Sequence, residues 1–151
     1  MDKEECLPKM KVEELIQRYN AGERFFTADL SGADLSGVDF STKDGKRKRI
    51  DLSGCNLAGV NFAGANLSYA IFIDANLTGT NLTGANLTGA NFEGALLINA
   101  ILVNSNLLCC GFVEADMTQA NLTGSKGGWE SKDTIFSNTI MEDGSVYSRI
   151  Y

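Results

Sequence analysis

Hydrophobic and polar positions alternate along most of this chain with a period of five residues. From Leu52 to Leu122 every fifth residue is Leu, Phe or Met, and the residue two places before it is usually small, most often alanine. A polar residue, usually Asn, lies between these two, and Ser or Thr and then Gly commonly follow. We call the large apolar residue the centre of each repeat. A helix needs apolar residues at i, i+3 and i+4, and a strand needs strict alternation, so neither ordinary element explains this pattern.

The odd length of the repeat predicts a coil with corners. A continuous strand would turn its buried face outward at each successive repeat, because side chains alternate between two faces. The buried face stays constant only if one residue in every repeat turns a corner, and glycine, which accepts positive φ, commonly fills that position. Phe72, Phe92 and Phe112 recur every twenty residues, which indicates four repeats in each turn. The centres and the small residues are then packed along the axis of the coil.

The run from Ala75 to Gly94, built from Ala-Asn-Leu-Thr-Gly and close variants, resembles the pentapeptide repeat family. The resemblance covers 28–40 and 50–124, and a helical N-terminus followed by Ala-Gly-Glu-Arg is also similar to members of a cyanobacterial type. It implies an all-β solenoid, a right-handed quadrilateral β-helix with four pentapeptides per turn and an N-terminal α-helical cap. It implies no activity, because most members of the family have no assigned biochemical function.

Three segments are expected along the chain. Residues 1–24 form an N-terminal arm and capping helix, 25–124 form the β-helix, and 125–151 form a C-terminal cap. The helix is predicted at roughly 8–20, because four apolar residues there share one stripe: Val12, Leu15, Ile16 and Tyr19. A stripe of this kind is suited to cover the first turn of a coil.

Both ends of the coil need a cover, because an open β-helix exposes unpaired backbone groups there. At the N-terminal end Pro8 suits the first turn of the helix and Gly22 suits its C-terminal cap. At the C-terminal end, 134–138 and 139–141 are interpreted as two degenerate repeats in a shifted register, before a turn at Asp143-Gly144. Four bulky residues are available to cover the last turn: Trp129, Tyr147, Ile150 and Tyr151.

A loop is predicted between Phe40 and Leu52, which are twelve residues apart where ten would hold the register. This loop, 41–49, contains five of the thirteen basic residues of the chain, all within 43–49. One interpretation is that it contacts phosphate or an acidic partner. The other is a solvated loop whose charges balance the aspartates of the first repeats.

Charge is unevenly distributed along the chain, whose net charge is −6. Residues 51–125 contain five carboxylates and no Lys or Arg, so we expect no direct nucleic-acid binding on these faces. No apolar run approaches the length of a membrane span, so no membrane interaction is expected. The N-terminus lacks the basic start and apolar stretch of a signal peptide, which favours the cytoplasm.

Residue composition also argues against catalysis. The chain contains no histidine, which removes Ser-His and Cys-His pairs and the commonest metal ligand. The glycines follow the five-residue period and match no phosphate-binding pattern. Cys55 and Cys110 occupy small inward positions, Cys109 a corner and Cys6 the N-terminal arm, so reduced structural thiols are expected. We therefore predict no catalytic site, no cofactor and no metal site, and a protein that is not an enzyme.

The clearest departure from the pattern lies between Ala95 and Val113. Six positions there that Asn, Ser or Thr would normally occupy are apolar: Leu96, Ile98, Ile101, Val103, Leu108 and Val113. The first four are expected to lie on adjacent sides of one turn, which would give a continuous exposed patch. We predict an interface here, with a protein partner or in a homodimer. The alternative is that the C-terminal tail covers the patch.

These observations favour a non-catalytic structural or protein-interaction module. The resemblance brings an alternative, since some family members resemble B-DNA, inhibit DNA gyrase, a type II topoisomerase, and protect against quinolones. The largely neutral asparagine rows and the basic loop argue against that role. Ice binding is a third hypothesis, but at twenty-residue spacing the threonine rows are interrupted by Ile98, Val103 and Leu108.

Overall fold

The computed structural model describes residues 9–25, 27–40 and 49–149. Most of these residues form one coil, in which each repeat pairs with the repeat one turn later. Parallel β-bridges join Asn56 to Asn76 and Asn76 to Leu96, and the same spacing recurs around the coil. Because paired residues are twenty positions apart, each turn contains four repeats, as the spacing of the phenylalanines predicted.

Each turn has four sides, and each side carries one repeat from every turn. We number the sides by their centres. These are Leu57, Leu77, Leu97 and Met117 on side 1; Phe62, Leu82, Leu102 and Leu122 on side 2; Leu67, Leu87 and Leu107 on side 3; and Leu52, Phe72, Phe92 and Phe112 on side 4. The chain runs through sides 1, 2, 3 and 4 in order and then begins the next turn.

Each side is too short to form a regular strand. On side 1, Asn76 N–H donates to the Cys55 carbonyl at 3.0 Å and Leu77 N–H donates to the Leu96 carbonyl at 2.7 Å. Gly79, with φ of 65°, then turns the corner, and the next N–H closes the turn by bonding back to Leu77 at 3.1 Å. Isolated bridges and turns therefore alternate along the chain, and the prediction that glycine commonly fills the corners is confirmed.

The axis of the coil is filled by the centres and the small residues, which are buried. On side 4 the rings of Phe72 and Phe92 stack with centroids 4.8 Å apart, and Phe92 and Phe112 stack at 5.0 Å. Cys55 and Cys110 are buried free thiols in small inward positions, and Cys109 is exposed at a corner, as predicted. Cys6 lies outside the described residues.

The first turn contains a longer insertion than the sequence pattern indicated. Asp29, Asp34 and Asp39 bridge to residues 27 positions later instead of twenty, so seven residues are inserted and not two. The prediction assumed one more repeat between Phe40 and Leu52, but these two centres lie on consecutive sides, 3 and 4. Residues 41–48 of the basic loop lie outside the described residues.

Helix α1, Val12–Asn20, covers the N-terminal end of the coil. It begins later than the predicted residue 8, because Lys11 is extended and Met10 N–H bonds to the first turn at the Asp29 carbonyl. Pro8 lies outside the described residues. Gly22, with φ of 76°, ends the helix in a Schellman motif, as its C-terminal position predicted.

Packing fixes the helix on the first turn of the coil. Leu15 is fully buried, and Val12 and Tyr19 pack against the core. The Tyr19 hydroxyl donates to the Phe40 carbonyl at 2.6 Å, and the rings of these two residues meet edge to face at 5.2 Å. The helix therefore satisfies a backbone group at the open end as well as covering its apolar side chains.

The coil continues for one more turn after the regular motif ends at Gly124. Lys126 bridges to Asn106 at the usual spacing of twenty, but Glu130 bridges to Gly111 at nineteen, so one residue is omitted between them. The two degenerate repeats predicted at 134–138 and 139–141 form sides 1 and 2 of this turn. Their small inward positions are held by Thr134 and Thr139, which donate to carbonyls of the turn before at 2.6 and 2.7 Å.

A two-stranded antiparallel sheet ends the described chain. Strand β1, Phe136–Ile140, belongs to the last turn, and strand β2, Val146–Arg149, pairs with it. The predicted turn at Asp143-Gly144 joins them, with Gly144 at φ of 83°. Trp129 packs between Phe112 and Phe136 with ring centroids 5.7 and 5.9 Å away, and so fills the core at this end.

Candidate functional site

Asparagine at the outward positions of sides 1, 2 and 3 stabilises the coil itself. The Asn76 side chain accepts a hydrogen bond from Thr78 N–H at 3.1 Å and donates one to the Asn56 side chain at 3.4 Å. Such amides form ladders along the sides, one rung for each turn. Leu96 and Ile101 take the asparagine position one turn later and can form neither bond. These two replacements therefore remove hydrogen bonds from the coil and leave apolar side chains facing outward.

The six predicted interface residues surround a single turn instead of lying on one face. Leu96 and Ile98 are on side 1, and Ile101 and Val103 are on side 2. Leu108 is on side 3, opposite side 1, and Val113 is on side 4, opposite side 2. A single flat partner reaches two adjacent sides, so these six residues do not form one patch. We call Leu96, Ile98, Ile101 and Val103 the apolar corner.

The apolar corner is open to solvent in the described structure. Leu96 is 43% exposed and Ile101 is 41% exposed, while Ile98 and Val103 are half-buried. The C-terminal tail, described as far as residue 149, packs on the last turn of the coil and leaves Leu96 and Ile101 uncovered. The alternative that the tail buries this patch is therefore wrong for these two residues. Leu108, on its own side, is 47% exposed.

The turn that carries the apolar corner also lacks glycine at its corners. Five successive corners from this turn into the next hold other residues at φ of 56 to 59°: Asn99, Asn104, Cys109, Glu114 and Gln119. Non-glycine residues in the left-handed region are unfavourable by about 1–2 kcal/mol each, somewhat less for asparagine. The run of five replaced glycines therefore marks the same part of the coil as the replaced asparagines.

A row of carboxylates, which we call the acidic edge, follows side 4 and its corner with side 1. Its exposed members are Asp74, Glu93, Glu114, Glu130 and Asp133, and the half-buried Asp51 extends it to the first turn. The ion pairs of Arg18 with Glu14 and with Glu23 lie at the capping helix and do not involve this edge. Sequence reasoning counted most of these acids but did not place them together. Counting in units of twenty residues places Asp74 and Glu114 at the same corner, two turns apart, and this is the signal that would have done so.

A cleft of about 290 Å³ lies at the N-terminal end, between the end of α1 and the first two turns. Tyr19, Arg24, Arg49, Asp51 and Phe25 are among its lining residues. Burial raises the pKa of the Tyr19 hydroxyl, and the nearby Asp39 carboxylate raises it further. Both arginines are exposed, and the only buried residue among those named is Phe25. The cleft therefore has no buried charged group that would fix a ligand.

The described part of the chain shows neither a metal-binding cluster nor a membrane-spanning helix. Across 9–25, 27–40 and 49–149, no three His, Cys, Asp or Glu side chains are grouped so that they could hold a metal ion. Within the same residues, no helix is both long and apolar enough to cross a membrane. The features of the surface that stand out are thus the apolar corner and the acidic edge.

Comparisons with known proteins agree with this architecture. The family model described as pentapeptide repeats matches 48–84 and 85–124, with eight copies of the repeat. No curated protein sequence gives a match. A solved pentapeptide repeat protein from the Arabidopsis thaliana thylakoid lumen is 32% identical, with a TM-score of 0.48, over 79% of this chain and 68% of that one.

Two further proteins of similar structure have also been solved. A trypsin-treated plasmid-mediated fluoroquinolone resistance protein is 25% identical with a TM-score of 0.54, over 80% of this chain and 60% of that protein. This chain thus spans less than two thirds of the resistance protein. A pentapeptide repeat protein from Nostoc PCC 7120 is 27% identical with a TM-score of 0.45, over 83% of this chain and 98% of that one.

Proposed function

This chain belongs to the pentapeptide repeat family, and from that premise we propose that it is a non-catalytic interaction module that binds another protein through the apolar corner. The hydrogen-bonded turns provide a regular support, and the turn 95–114 provides the contact surface. The observation that carries the proposal is the exposure of Leu96 and Ile101 at positions where the coil otherwise uses asparagine for its own ladders. Apolar groups that weaken their own scaffold and face solvent are typical of a binding surface.

The size of this surface indicates what kind of partner it fits. Full burial of an exposed Leu or Ile side chain contributes about 1.5–3 kcal/mol, so covering the exposed part of Leu96 or Ile101 contributes roughly 1 kcal/mol each. Ile98 and Val103 add less, since they are already half-buried. A partner with only these contacts would bind weakly, because association itself is unfavourable by several kcal/mol. The partner therefore needs an apolar ridge, with polar groups beside it that form hydrogen bonds to the polar rows of the neighbouring turns.

The test restores the sequence of the repeat itself at the two exposed positions. In the double variant Leu96→Asn/Ile101→Asn, each new amide can join the ladder of its side, so the coil keeps or gains stability while the surface becomes polar. The matched control is Leu108→Thr on the opposite side, where the previous turn has Thr88. Wild type, double variant and control are used as baits in extracts of the source cells, and retained proteins are quantified by mass spectrometry.

The proposal predicts a protein that wild type and the Leu108→Thr control retain and that the double variant loses. Light scattering of the three proteins separates a foreign partner from a second copy, since only the latter changes the mass of the purified chain. If the double variant retains the same proteins and has the same mass as wild type, the apolar corner is not the binding surface.

The second candidate is a DNA-mimicking inhibitor or protector of DNA gyrase. The acidic edge favours it, because a row of exposed carboxylates follows the coil axis, and the likeness to a fluoroquinolone resistance protein supports the same role. The neutral asparagine ladders on sides 1 and 2 argue against it. A supercoiling assay with gyrase, with and without a fluoroquinolone, tests this role. If wild type leaves supercoiling unchanged, the gyrase role is excluded. If wild type has an effect that the variant Glu93→Gln/Glu114→Gln retains, a surface other than the acidic edge is responsible.

The handedness of the coil is also proposed from its membership of the family. We take it as right-handed, because parallel β-segments joined by crossover connections are right-handed in nearly all known cases. The parallel bridges between successive turns are connections of this kind. Circular dichroism does not distinguish the two senses, whereas an experimental density map of the coil does.

A further inference from the structure

The amide ladders of the coil have a direction. Each asparagine donates its side-chain NH2 to the side-chain oxygen one turn earlier, as Asn56 does to Asp29 at 3.2 Å and Asn76 does to Asn56 at 3.4 Å. The Asn56 oxygen also accepts the backbone N–H two residues ahead, so an oxygen inside a ladder accepts two hydrogen bonds. The first residue of a ladder has no earlier oxygen to which it could donate. Aspartate, which has no NH2, fills this position at Asp29 and Asp34.

The apolar corner interrupts two of these ladders. Leu96 follows Asn76 on side 1 and Ile101 follows Asn81 on side 2, and neither alkyl side chain can donate a hydrogen bond. Among the described residues, the side-chain oxygens of Asn76 and Asn81 therefore accept one hydrogen bond each. Both bonds come from the backbone N–H two residues ahead, at 3.1 Å. Two acceptors with an unused lone pair thus lie next to the exposed side chains of the apolar corner.

The next turn adds a carboxylate on the other flank of Leu96. Asp116 bridges to Leu96, and its side chain accepts the Thr118 N–H at 2.9 Å. An asparagine at this position would direct its NH2 at an alkyl group, whereas aspartate has no NH2 to satisfy. Asn121, the corresponding residue beyond Ile101, does carry such a donor. Acceptors therefore outnumber donors around the apolar corner, and one of them is charged.

The coil places no basic residue beside these acceptors. No lysine or arginine occurs in 51–125. In the last turn Lys126 is on side 3 and Lys132 is on side 4, away from the two sides of the apolar corner. Glu114, exposed at the corner that precedes side 1, adds a second carboxylate in the layer of Asp116. Because like charges across an interface oppose binding, this surface disfavours an acidic partner and favours a basic one.

We propose that the partner bound by the apolar corner presents a basic amphipathic helix, with an apolar side chain between two arginines; this rests on the proposed function. Leu96 lies one layer from Asn76 and one layer from Asp116, about 4.8 Å each way along the coil. Side chains three or four residues apart on a helix have Cβ atoms about 5–6 Å apart. A helix along side 1 therefore places an apolar residue on Leu96 and donors on both acceptors. Arginine suits both positions, because it has five N–H donors and no acceptor.

The test uses the full chain and three stapled helical peptides, because an isolated helix of about 15 residues is only marginally stable in water. The first peptide has Arg, Leu and Arg at i, i+4 and i+8. The second has Glu in place of both arginines, and the third has Ser in place of leucine. Binding is measured by titration of backbone amide NMR signals up to millimolar peptide. The first peptide is expected to shift the signals of Leu96, Ile98 and Asp116, and the other two to bind at least about fivefold more weakly.

Two charge variants locate the cation. Asp116→Asn removes the carboxylate beside the apolar corner. Asp51→Asn is the matched control, since Asp51 is the first described outward residue of side 4 and likewise accepts the N–H two residues ahead, at 3.1 Å. Asp116→Asn should weaken binding of the first peptide about threefold to tenfold, as expected for an ion pair at a partly exposed site, and Asp51→Asn should leave it unchanged. Added salt should weaken binding to wild type more than to Asp116→Asn.

Failure of this inference can be distinguished from failure of the proposed function. If the Arg and Glu peptides bind equally, or if Asp116→Asn binds the first peptide like wild type, the inference is overturned while the apolar corner remains the binding surface. If no peptide shifts the signals of Leu96 and Ile98, the inference is also overturned, and the extract experiment still decides the proposed function. If Leu96→Asn/Ile101→Asn binds the first peptide as tightly as wild type, the apolar corner is not the contact surface and the proposed function fails with the inference.

Discussion

Replacement of Gly84 by alanine isolates the conformational requirement of a corner. Gly84 has φ of 65°, and a Cβ added there would meet no atom within 4 Å. A residue other than glycine in this region is unfavourable by about 1–2 kcal/mol. Alanine also restricts the unfolded chain, which offsets about 0.4–1 kcal/mol. The net destabilisation expected for Gly84→Ala is therefore about 1 kcal/mol. Gly84→Asn is expected to destabilise less, because asparagine tolerates this conformation.

Two further positions, one beside a bridge of the last turn and one at a corner, extend this prediction in opposite directions. At Gly127, φ is 117° and an added Cβ would collide with the backbone of Leu108, which cannot rotate away. Gly127→Ala should therefore destabilise by more than about 2 kcal/mol, since the turns must separate to accommodate it. Gln119 already occupies a corner at φ of 57°, so Gln119→Gly should stabilise by up to about 1 kcal/mol.

Urea unfolding followed by circular dichroism measures these differences as shifts in midpoint at constant slope. Thermal unfolding is the second measurement, where 1 kcal/mol corresponds to about 2–4 °C for a chain of this size. The expected order of stability is Gln119→Gly, wild type, Gly84→Asn, Gly84→Ala and Gly127→Ala. The reasoning is refuted if Gly84→Ala is as stable as wild type, or if Gly127→Ala is no worse than Gly84→Ala.

Three more predictions concern the core, the first turn and the thiols. Phe92→Ala should destabilise by about 3–5 kcal/mol in urea unfolding, because it opens a cavity between two stacked rings, and Phe92→Leu should recover most of this loss. A hydrogen bond from Ser31 N–H holds the pKa of Asp29 below its usual value. The Asp29 carboxylate therefore stabilises the folded chain above about pH 4, and this stabilisation is lost as the pH falls through the lowered pKa. Asp29→Asn should therefore unfold less readily in acid than wild type; equal acid midpoints would contradict this. Burial raises the pKa of Cys55 to about 11 and of Cys110 to about 12, so iodoacetamide at pH 8 should label Cys109 and spare both in peptide mass spectra of the native protein.

The repeat allowed the architecture of the coil to be predicted from sequence, because every contact that defines it is local or exactly one turn away in the chain. The twenty-residue spacing of Phe72, Phe92 and Phe112 predicted the number of sides, and their stacked rings confirm it. The insertion before Leu52 was misjudged for a physical reason. The spacing of the centres shows where the five-residue pattern resumes after the loop. It does not show whether the loop joins two consecutive sides or takes the place of a further repeat.

The candidate interface was predicted only in part. The departure from asparagine at Leu96 and Ile101 was visible in the sequence, since hydrogen-bonding residues occupy the equivalent positions in the turns before and after. Four of the six residues share two adjacent sides, while Leu108 lies opposite side 1 and Val113 lies opposite side 2. Position along the turn, counted in units of twenty, was sufficient to separate them. The hairpin of β1 and β2 could not be found this way, because it lies beyond the repeat.

The constant rise of the coil sets distances between surface features with little freedom. Neighbouring layers are about 4.8 Å apart, and the layer of Leu96 is followed by those of Asp116, Ile135 and β2. Leu96 therefore lies three layers, or about 14 Å along the axis, from β2. A partner that contacts the apolar corner and the last turn at once must present two contact groups at a separation set by these layers. The coil would thus select partners by spacing as well as by surface chemistry.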